Sequence, residues 1–376
     1  MRNILKRLKL IGRILFSKRD DLESIEKTAD TLLKEKELTA ISKPTIFTSN
    51  SVSEVFIDKK GLSQVIALKN EEILTFSKFG LITLFDERNM TLKLELNLES
   101  EWNEKNWKLL QGGNCCIFIQ RKNIIVAISR YYLDFEDSEY GGPEKFIIYW
   151  IDKATFKIIK KEKLKYPVYD LFTSTTESYL IGRTINGIVY FNIDTLCFEK
   201  KIDLTVNNKI FIDDYLKLLI TCYSENFPFN KNIKLISQDD YNIIGDIKGF
   251  DTGSIDAITY TGIKRWIAIY STGEKLIKIF DLDSNSFSYS VPISYNESDI
   301  PVEMKFSNEA DFLAVKLRHS VFVFETKTFD KLCDLKHQNK NELAPSKDGY
   351  IEDVSFFNYD KNILTTTSDG YLRVWK

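Results

Sequence analysis

The sequence predicts an all-β fold: a seven-bladed β-propeller of four-stranded antiparallel blades with an N-terminal α-helical extension. Its 376 residues exceed the roughly 250 to 300 over which a single hydrophobic core keeps growing. From residue 51 onward, short β-branched and aromatic segments alternate with polar turns, and no helical period appears. Groups of these segments recur roughly every 45 residues, the repeat of a four-stranded blade. The predicted domains are residues 1–50, the extension, and residues 51–376, the propeller. A two-domain all-β sandwich is the alternative.

The third strand of each predicted blade marks the repeat most clearly. Each marker is a mainly apolar run that ends near a large side chain. The seven markers are residues 81–85, 146–150, 188–192, 233–237, 276–280, 321–324 and 372–375. In the fifth group a whole blade can be read, with strands at 255–260, 266–271, 276–281 and 287–291.

The last predicted blade is one strand short. The printed sequence stops at Trp375 and Lys376, directly after the third strand of that blade. A predicted strand at 53–57 precedes the first group and has no partner within it. Pairing the two segments would complete the last blade and close the ring.

Parts of each unit resemble the WD-repeat family. Asp369 occupies a tight turn where that family often has a structural aspartate, and Trp375 stands where its Trp-Asp pair begins. The resemblance covers residues 50–376 and implies a divergent, WD-like propeller that binds other proteins. No unit shows the family's Gly-His pair before its first strand, since the chain has only His319 and His337.

The predicted connections differ in length between the two faces of the propeller. Turns between the first and second strands and between the third and fourth are uniformly short. The other two classes contain every insertion, at residues 99–113, 131–145, 224–231 and 337–350. Long loops on a rigid scaffold are where binding residues concentrate. These four segments map to the face that is called the top in WD-repeat propellers, where many of them bind partners.

The long connections are rich in aromatic and acidic residues. Tryptophan and tyrosine dominate interface hot spots, and the acidic residues favour a basic protein or peptide as partner. The predicted partner-binding residues are Trp102, Trp107, Tyr131, Tyr132, Asp134, Phe135, Glu136, Asp137, Glu139, Tyr140, Phe227 and Phe229. The alternative is that the aromatic rings fold inward and the carboxylates are simply solvated.

The first nineteen residues carry seven basic residues and no acidic one. Ile4, Leu8, Ile11 and Leu15 recur at helical spacing, which predicts a basic amphipathic helix. An acidic helix is predicted to follow from Asp20, before Pro44. Three functions compete for this extension: an anchor on an anionic membrane surface, a mitochondrial-type presequence, and a hairpin packed on the propeller or a partner. The candidate membrane or partner residues are Lys6, Arg7, Lys9, Arg13, Lys18 and Arg19.

Net charge, cysteine content and the length of apolar runs bear on the partners and the location of the protein. The net charge of -2 offers no general attraction to nucleic acid, so a nucleic-acid partner is not expected. Five cysteines without CxxC pairs suggest reduced thiols. No apolar run approaches the ~18 residues of a membrane-spanning helix. We expect a cytoplasmic protein, peripheral at a membrane if the first helix binds lipid, with a propeller that is monomeric by itself.

Catalytic motifs are missing from the sequence. There is no GxxxxGK[ST], GxSxG or HExxH pattern and no zinc-like Cys/His spacing, so no catalytic residue, metal or cofactor is predicted. Cys115 and Cys116 open a predicted inner strand and are expected to be buried. The sequence favours a non-enzymatic interaction module or scaffold. The other hypotheses are a membrane-surface scaffold anchored by residues 1–19, an immunity-type protein that neutralises a bacterial toxin, and a propeller enzyme.

Overall fold

The chain folds into a seven-bladed β-propeller of antiparallel sheets, as the computed structural model shows. The structure describes residues 51–376 apart from 59–60, 70, 102–106, 111–114, 134–143, 205–208, 224–231, 251–253, 296–298, 338–348 and 358. Each of the seven predicted third-strand markers lies within the third strand of a blade. The predicted helical extension, residues 1–50, lies outside the described residues.

The blades follow one another along the chain, each from its innermost to its outermost strand. Blade 1 comprises β2 (Leu62–Leu68), β3 (Glu72–Ser77), β4 (Leu81–Asp86) and β5 (Thr91–Asn97). Blade 2 comprises β6 (Trp107–Leu109), β7 (Cys115–Ile119), β8 (Ile124–Leu133), β9 (Glu144–Asp152) and β10 (Ile158–Lys163), with a 3₁₀ turn at Gln120–Lys122. Blade 3 comprises β11 (Asp170–Thr173), β12 (Tyr179–Thr184), β13 (Gly187–Asn192) and β14 (Cys197–Ile202).

The later blades repeat the same plan. Blade 4 comprises β15 (Ile210–Asp213), β16 (Leu218–Tyr223), β17 (Asn232–Ser237) and β18 (Ile243–Lys248). Blade 5 comprises β19 (Ala257–Thr261), β20 (Trp266–Ser271), β21 (Leu276–Asp281) and β22 (Ser286–Pro292). Blade 6 comprises β23 (Pro301–Phe306), β24 (Phe312–Leu317), β25 (Ser320–Glu325) and β26 (Lys331–Lys336). Blade 7 comprises β27 (Ile351–Phe357), β28 (Asn362–Thr367), β29 (Tyr371–Trp375) and β1 (Ser51–Phe56).

The ring is closed by the first described strand. β1 pairs antiparallel with β29, so that Ser51 lies opposite Trp375 and Phe56 opposite Tyr371. Glu54 on β1 accepts a hydrogen bond from Arg373 Nε at 3.0 Å. The strand predicted at 53–57 therefore supplies the fourth strand of blade 7, and both ends of the propeller meet in one sheet.

The core consists of apolar layers between consecutive blades. Within the described ranges, seven clusters of buried side chains occur, one at each junction around the ring. Middle strands are mostly buried, and β28 is buried along its whole length. Outer strands are exposed and rich in lysine and glutamate, as in β10 and β14, and such charges discourage edge-to-edge pairing with another chain. In these strands the composition thus agrees with the position in the blade.

Acidic side chains join the short inner turns of neighbouring blades. Glu177 of blade 3 accepts hydrogen bonds from the backbone N–H groups of Gln120 and Arg121 of blade 2. Asp360 of blade 7 accepts them from Asn308 at 3.0 Å and Glu309 at 2.8 Å in blade 6. These carboxylates satisfy turn N–H groups that lack a partner within their own hairpin, so this face is held together by direct bonds.

Blade 2 departs from the pattern that the sequence predicts. The segment at 99–113 was expected to be a loop, but Trp107–Leu109 forms the short strand β6. β6 and β7 pair with successive parts of the same neighbour, β8. The predicted loop at 131–145 is also shorter than expected, because β8 runs to Leu133 and β9 begins at Glu144.

Candidate functional site

The two faces of the propeller are built from connections of different length. Turns between the first and second strands, and between the third and fourth, have roughly three to five residues, the usual length of hairpin loops. We call their face the short-turn face. Residues 134–143, 224–231 and 337–350 all join strand ends at the opposite edge of the sheets, which we call the long-loop face.

On the long-loop face, blade 2 is extended by a small three-stranded sheet. β8 has 10 residues, whereas the second strands of the other blades have 6. Beyond the normal length of the blade, Leu109 of β6 pairs with Tyr131 of β8, which in turn pairs with Lys145 of β9. We call this element, made of residues 107–109, 130–133 and 144–146, the blade 2 extension.

Buried contacts with blade 1 fix one side of the blade 2 extension. Tyr131 is 1% exposed, and its hydroxyl donates a hydrogen bond to Leu98 O at 3.0 Å and contacts the Tyr149 hydroxyl at 2.9 Å. Burial raises the pKa of Tyr131 to about 12, so the hydroxyl remains a donor at neutral pH. Leu109 packs in the same apolar cluster. The extension therefore rests on a rigid base.

The other side of the extension presents charged and aromatic groups toward blade 3. Arg130 donates from Nε to Glu144 at 2.9 Å and from Nη2 to the same carboxylate. Its guanidinium lies 5.8 Å from the ring centroids of both Phe146 and Tyr169. Tyr132 follows two positions later on the strand and is partly exposed. Because alternate residues of a strand share a face, Tyr132 lies on the same side as Arg130.

Most of the predicted partner-binding residues lie outside the described part of the chain. The structure places Tyr131 in the core between blades 1 and 2 and Tyr132 at the surface of the blade 2 extension. For Trp107 it describes the backbone, which pairs with Leu133. Residues outside the described ranges are Trp102, Asp134, Phe135, Glu136, Asp137, Glu139, Tyr140, Phe227, Phe229, Lys6, Arg7, Lys9, Arg13, Lys18 and Arg19.

A network of ion pairs lies at the long-loop end of the central channel. Lys209, directly before the first strand of blade 4, pairs with Glu303 of blade 6. Lys316 Nζ lies 3.0 Å from the same carboxylate. Lys305 pairs with Asp353 of blade 7 at 3.3 Å. The inner strands of three blades are thus connected across this mouth of the channel.

The lysines near Glu303 offset the effect of burial on the pKa of its carboxyl group. Burial alone would raise the pKa of Glu303, but Lys316, Lys209 and Lys305 hold it well below its ordinary value. Burial would likewise lower the pKa of Lys305, but Asp353 and Glu303 raise it. The Glu303 carboxylate is therefore held in its ionised form beside the lysines. A general acid or base needs a pKa near the working pH, which this arrangement does not supply.

His337 belongs to a hydrogen-bond network that the sequence did not reveal. Its Nε2 lies 2.8 Å from Thr365 Oγ1, which also accepts a hydrogen bond from Trp375 Nε1 at 2.9 Å. Its Nδ1 accepts from Arg373, which is 3% exposed. Asp369 Oδ1 is buried and has no hydrogen-bond partner in the part of the chain that is described. An arginine therefore contacts Nδ1 of the histidine here.

The described residues bear on the sequence predictions for metal sites and for Cys115 and Cys116 in particular. No three His, Cys, Asp or Glu side chains in these ranges form a set that could hold a metal ion. Cys115 and Cys116 are buried as predicted, and burial raises the pKa of both thiols well above its ordinary value. A thiol with a raised pKa is a poor nucleophile at neutral pH.

The described residues form no helix with the length and hydrophobicity that a membrane span requires.

In comparisons with known proteins, the sequence matches no protein-family model and no curated protein.

Proposed function

We propose that this protein is a divergent WD-like propeller that acts as a non-enzymatic interaction module and binds a protein or peptide on its long-loop face. The observation that carries the proposal is the asymmetry of the two faces. Short turns bound to one another form one face, whereas insertions and the blade 2 extension lie on the other. A rigid scaffold that elaborates one face is typical of binding proteins.

The WD-like character is supported by the histidine network of blade 7. His337, Thr365 and Trp375 are joined by hydrogen bonds across the last connection and two strands. The histidine lies at the start of a long connection and is not part of a Gly-His pair directly before a strand. This difference, together with the Arg373 contact, makes the unit divergent.

The blade 2 extension is the best supported contact element on the long-loop face. It holds Tyr132 on a rigid base, beside the paired charges of Arg130 and Glu144. An ordered aromatic side chain loses little conformational entropy when a partner covers it. The acidic residues at 134–139 lie in the connection that leaves this element, and they favour a basic partner.

Affinity capture tests the proposal. The immobilised protein should recover a specific partner from cross-linked extract of its own source, and a Trp102→Ala, Trp107→Ala, Tyr132→Ala variant should lose it. Tyr359→Ala is the matched control, because Tyr359 is 92% exposed on the short-turn face. Equal recovery by the triple variant, or recovery of no specific protein, would contradict the proposal.

A membrane-surface role is the second candidate and rests on the seven basic residues within positions 1–19. Flotation with vesicles that contain anionic lipid separates the two functions. Binding that disappears on deletion of residues 1–19 would support the anchor, and binding that persists would contradict it.

A further inference from the structure

A cleft on the short-turn face lies between the inner turns of blades 3, 4, 5 and 6. Its volume is about 390 Å³. Residues that line it include Thr175, Asp213, Tyr215, Tyr260, Gly262 and Ile263. All residues of these four turns are described, so the walls of the cleft are fully defined.

The floor of the cleft holds a buried carboxylate with no cation bonded to it. Asp213 is 2% exposed; its Oδ1 accepts from the backbone N–H of Leu216 at 2.9 Å, and its Oδ2 accepts from the Tyr260 hydroxyl at 2.5 Å. The ion pairs among the described residues include none with Asp213. Arg265 is near enough to interact with it electrostatically, but donates its hydrogen bond to Asp283 at 2.8 Å.

Gly262 leaves open the space above this carboxylate. A Cβ atom at position 262 would lie 3.6 Å from Asp213 Oδ2 and 3.9 Å from both the Tyr260 hydroxyl and Thr175 Cγ2. These are ordinary contact distances, and Gly262 does not have a left-handed backbone conformation. The absence of a side chain here therefore serves access to the cleft and is not required by the turn.

The rim of the cleft is apolar and exposed. Tyr215 is 80% exposed and Ile263 is 61% exposed, each at the tip of a turn. Apolar groups around a buried carboxylate match a lysine or arginine side chain, which combines an aliphatic stem with a cationic end. Tyrosine rings add attraction for a cation near their faces. An acidic side chain would be repelled, and an apolar one would cover the carboxylate without compensating its charge.

We propose that this cleft binds a lysine or arginine side chain of a partner protein, with the cation next to Asp213 and the stem against Tyr215 and Ile263. The site lies at the opposite strand ends from the blade 2 extension. It is therefore independent of the proposed long-loop interface, and either site can exist without the other.

Saturation-transfer NMR with small probes tests this assignment on the full chain. N-acetyl-arginine methylamide and N-acetyl-lysine methylamide should receive saturation from the protein. N-acetyl-citrulline methylamide, which has nearly the shape of the arginine compound but no charge, should receive at least about tenfold less.

Two variants locate the binding. Gly262→Leu fills the cleft without removing a hydrogen bond, and Asp213→Asn removes the charge while an amide can still bond to Leu216 and Tyr260. Both should abolish the arginine and lysine signals, whereas Tyr359→Ala, outside the cleft, should retain them. Thermal unfolding of each variant shows that it is folded; if Asp213→Asn is not, Gly262→Leu decides alone. Signals that persist in folded Gly262→Leu, or that are equal for citrulline, would overturn the proposal.

Discussion

At the scale of single residues, His337 links the loop before blade 7 to the strands of that blade through contacts with Thr365 and Arg373. Arg373 donates to Nδ1, so Nδ1 is the acceptor and the proton of the neutral ring lies on Nε2, facing Thr365. A second proton on the ring would be carried by Nδ1 and would point at the positively charged guanidinium of Arg373. Burial, together with the fields of Arg373 and His319, lowers the pKa of His337 well below its ordinary value.

The lowered pKa of His337 predicts how stability depends on pH. In the unfolded chain the imidazole takes up a proton near pH 6.5, whereas in the folded protein it resists protonation. Its contribution to the free energy of unfolding is therefore complete above about pH 6.5 and declines as the pH falls below that value. The slope can reach ~1.4 kcal/mol per pH unit for one proton. Urea unfolding at several pH values between 5 and 7 measures it.

Carboxylates also change the stability of a protein at acidic pH. Two glutamine variants separate the contribution of His337 from theirs. His337→Gln should lower stability at pH 7 but flatten the pH dependence between 5 and 6.5. His319→Gln replaces the other histidine of the chain and should leave the slope of the native protein largely intact. The same pH dependence in His337→Gln and the native protein would show that His337 is not the group responsible.

Tyr131 and Tyr132 are neighbours that should respond in opposite ways. Tyr131→Phe removes the hydroxyl that bonds to Leu98 O and Tyr149. Leu98 O keeps a second donor, the Glu101 N–H, but the buried Tyr149 hydroxyl loses its partner, which should lower the free energy of unfolding by ~1 to 3 kcal/mol. Tyr132→Ala should change stability little but weaken partner recovery. Denaturant titration and affinity capture on the same samples give both results, and a reversed pattern would contradict the placement.

At the scale of elements, the closure strand β1 depends on a glycine in the opposing turn. Gly370 has φ +91°, and a Cβ atom there would lie 1.9 Å from Asp58 O. The backbone N–H of Ile57 donates to Gly370 O at 2.9 Å. Gly370→Ala must therefore move the end of β1 away from β29 or strain the turn.

Gly370→Ala should lower the stability of the whole propeller. The substitution combines backbone strain with a steric clash, and deletion of residues 50–58 should have a larger effect in the same direction. Gly262→Ala is the matched control, since its Cβ meets only ordinary contacts. Thermal unfolding should show a clear decrease in Tm for Gly370→Ala and little change for the control. Equal Tm values would mean that β1 contributes little to ring closure.

Sequence periodicity predicted the elements well where the pairing was local. Successive hairpins fix their own register through short turns, so each of the seven predicted third-strand markers lies within an observed third strand. β6 was missed because its partner is the end of β8, beyond an intervening strand. Three residues such as Trp107–Leu109 carry no periodic signal of their own. The cleft at Asp213 was missed for the same reason, since it combines turns of four blades.

At the scale of the whole molecule, the channel differs between its two mouths. On the long-loop side, Glu303 is paired with lysines from blades 4 and 6, and Lys305 joins blade 7. On the short-turn side, the Asp213 carboxylate accepts hydrogen bonds from Leu216 N–H and the Tyr260 hydroxyl, and none of the described cations bonds it. The two sides therefore differ: lysines pair with Glu303 and Asp353 on one side, whereas Asp213 on the other has no cation bonded to it among the described residues. The contrast depends on side chains from several blades that are far apart in the sequence. It therefore cannot be predicted from the sequence of any one blade.

The ion-pair network around Glu303 should contribute to the free energy of unfolding as one unit. Glu303→Gln leaves Lys316, whose side chain is 9% exposed, next to a neutral group. Loss of one partner from a buried ion pair typically costs ~3 to 5 kcal/mol, and we expect a decrease of that order in urea unfolding. Lys316→Met combined with Glu303→Gln should recover part of the loss, because the unpaired cation is then removed as well. Strictly additive effects of the two substitutions would show that the lysines and Glu303 stabilise their blades separately, and that the mouth is not a single network.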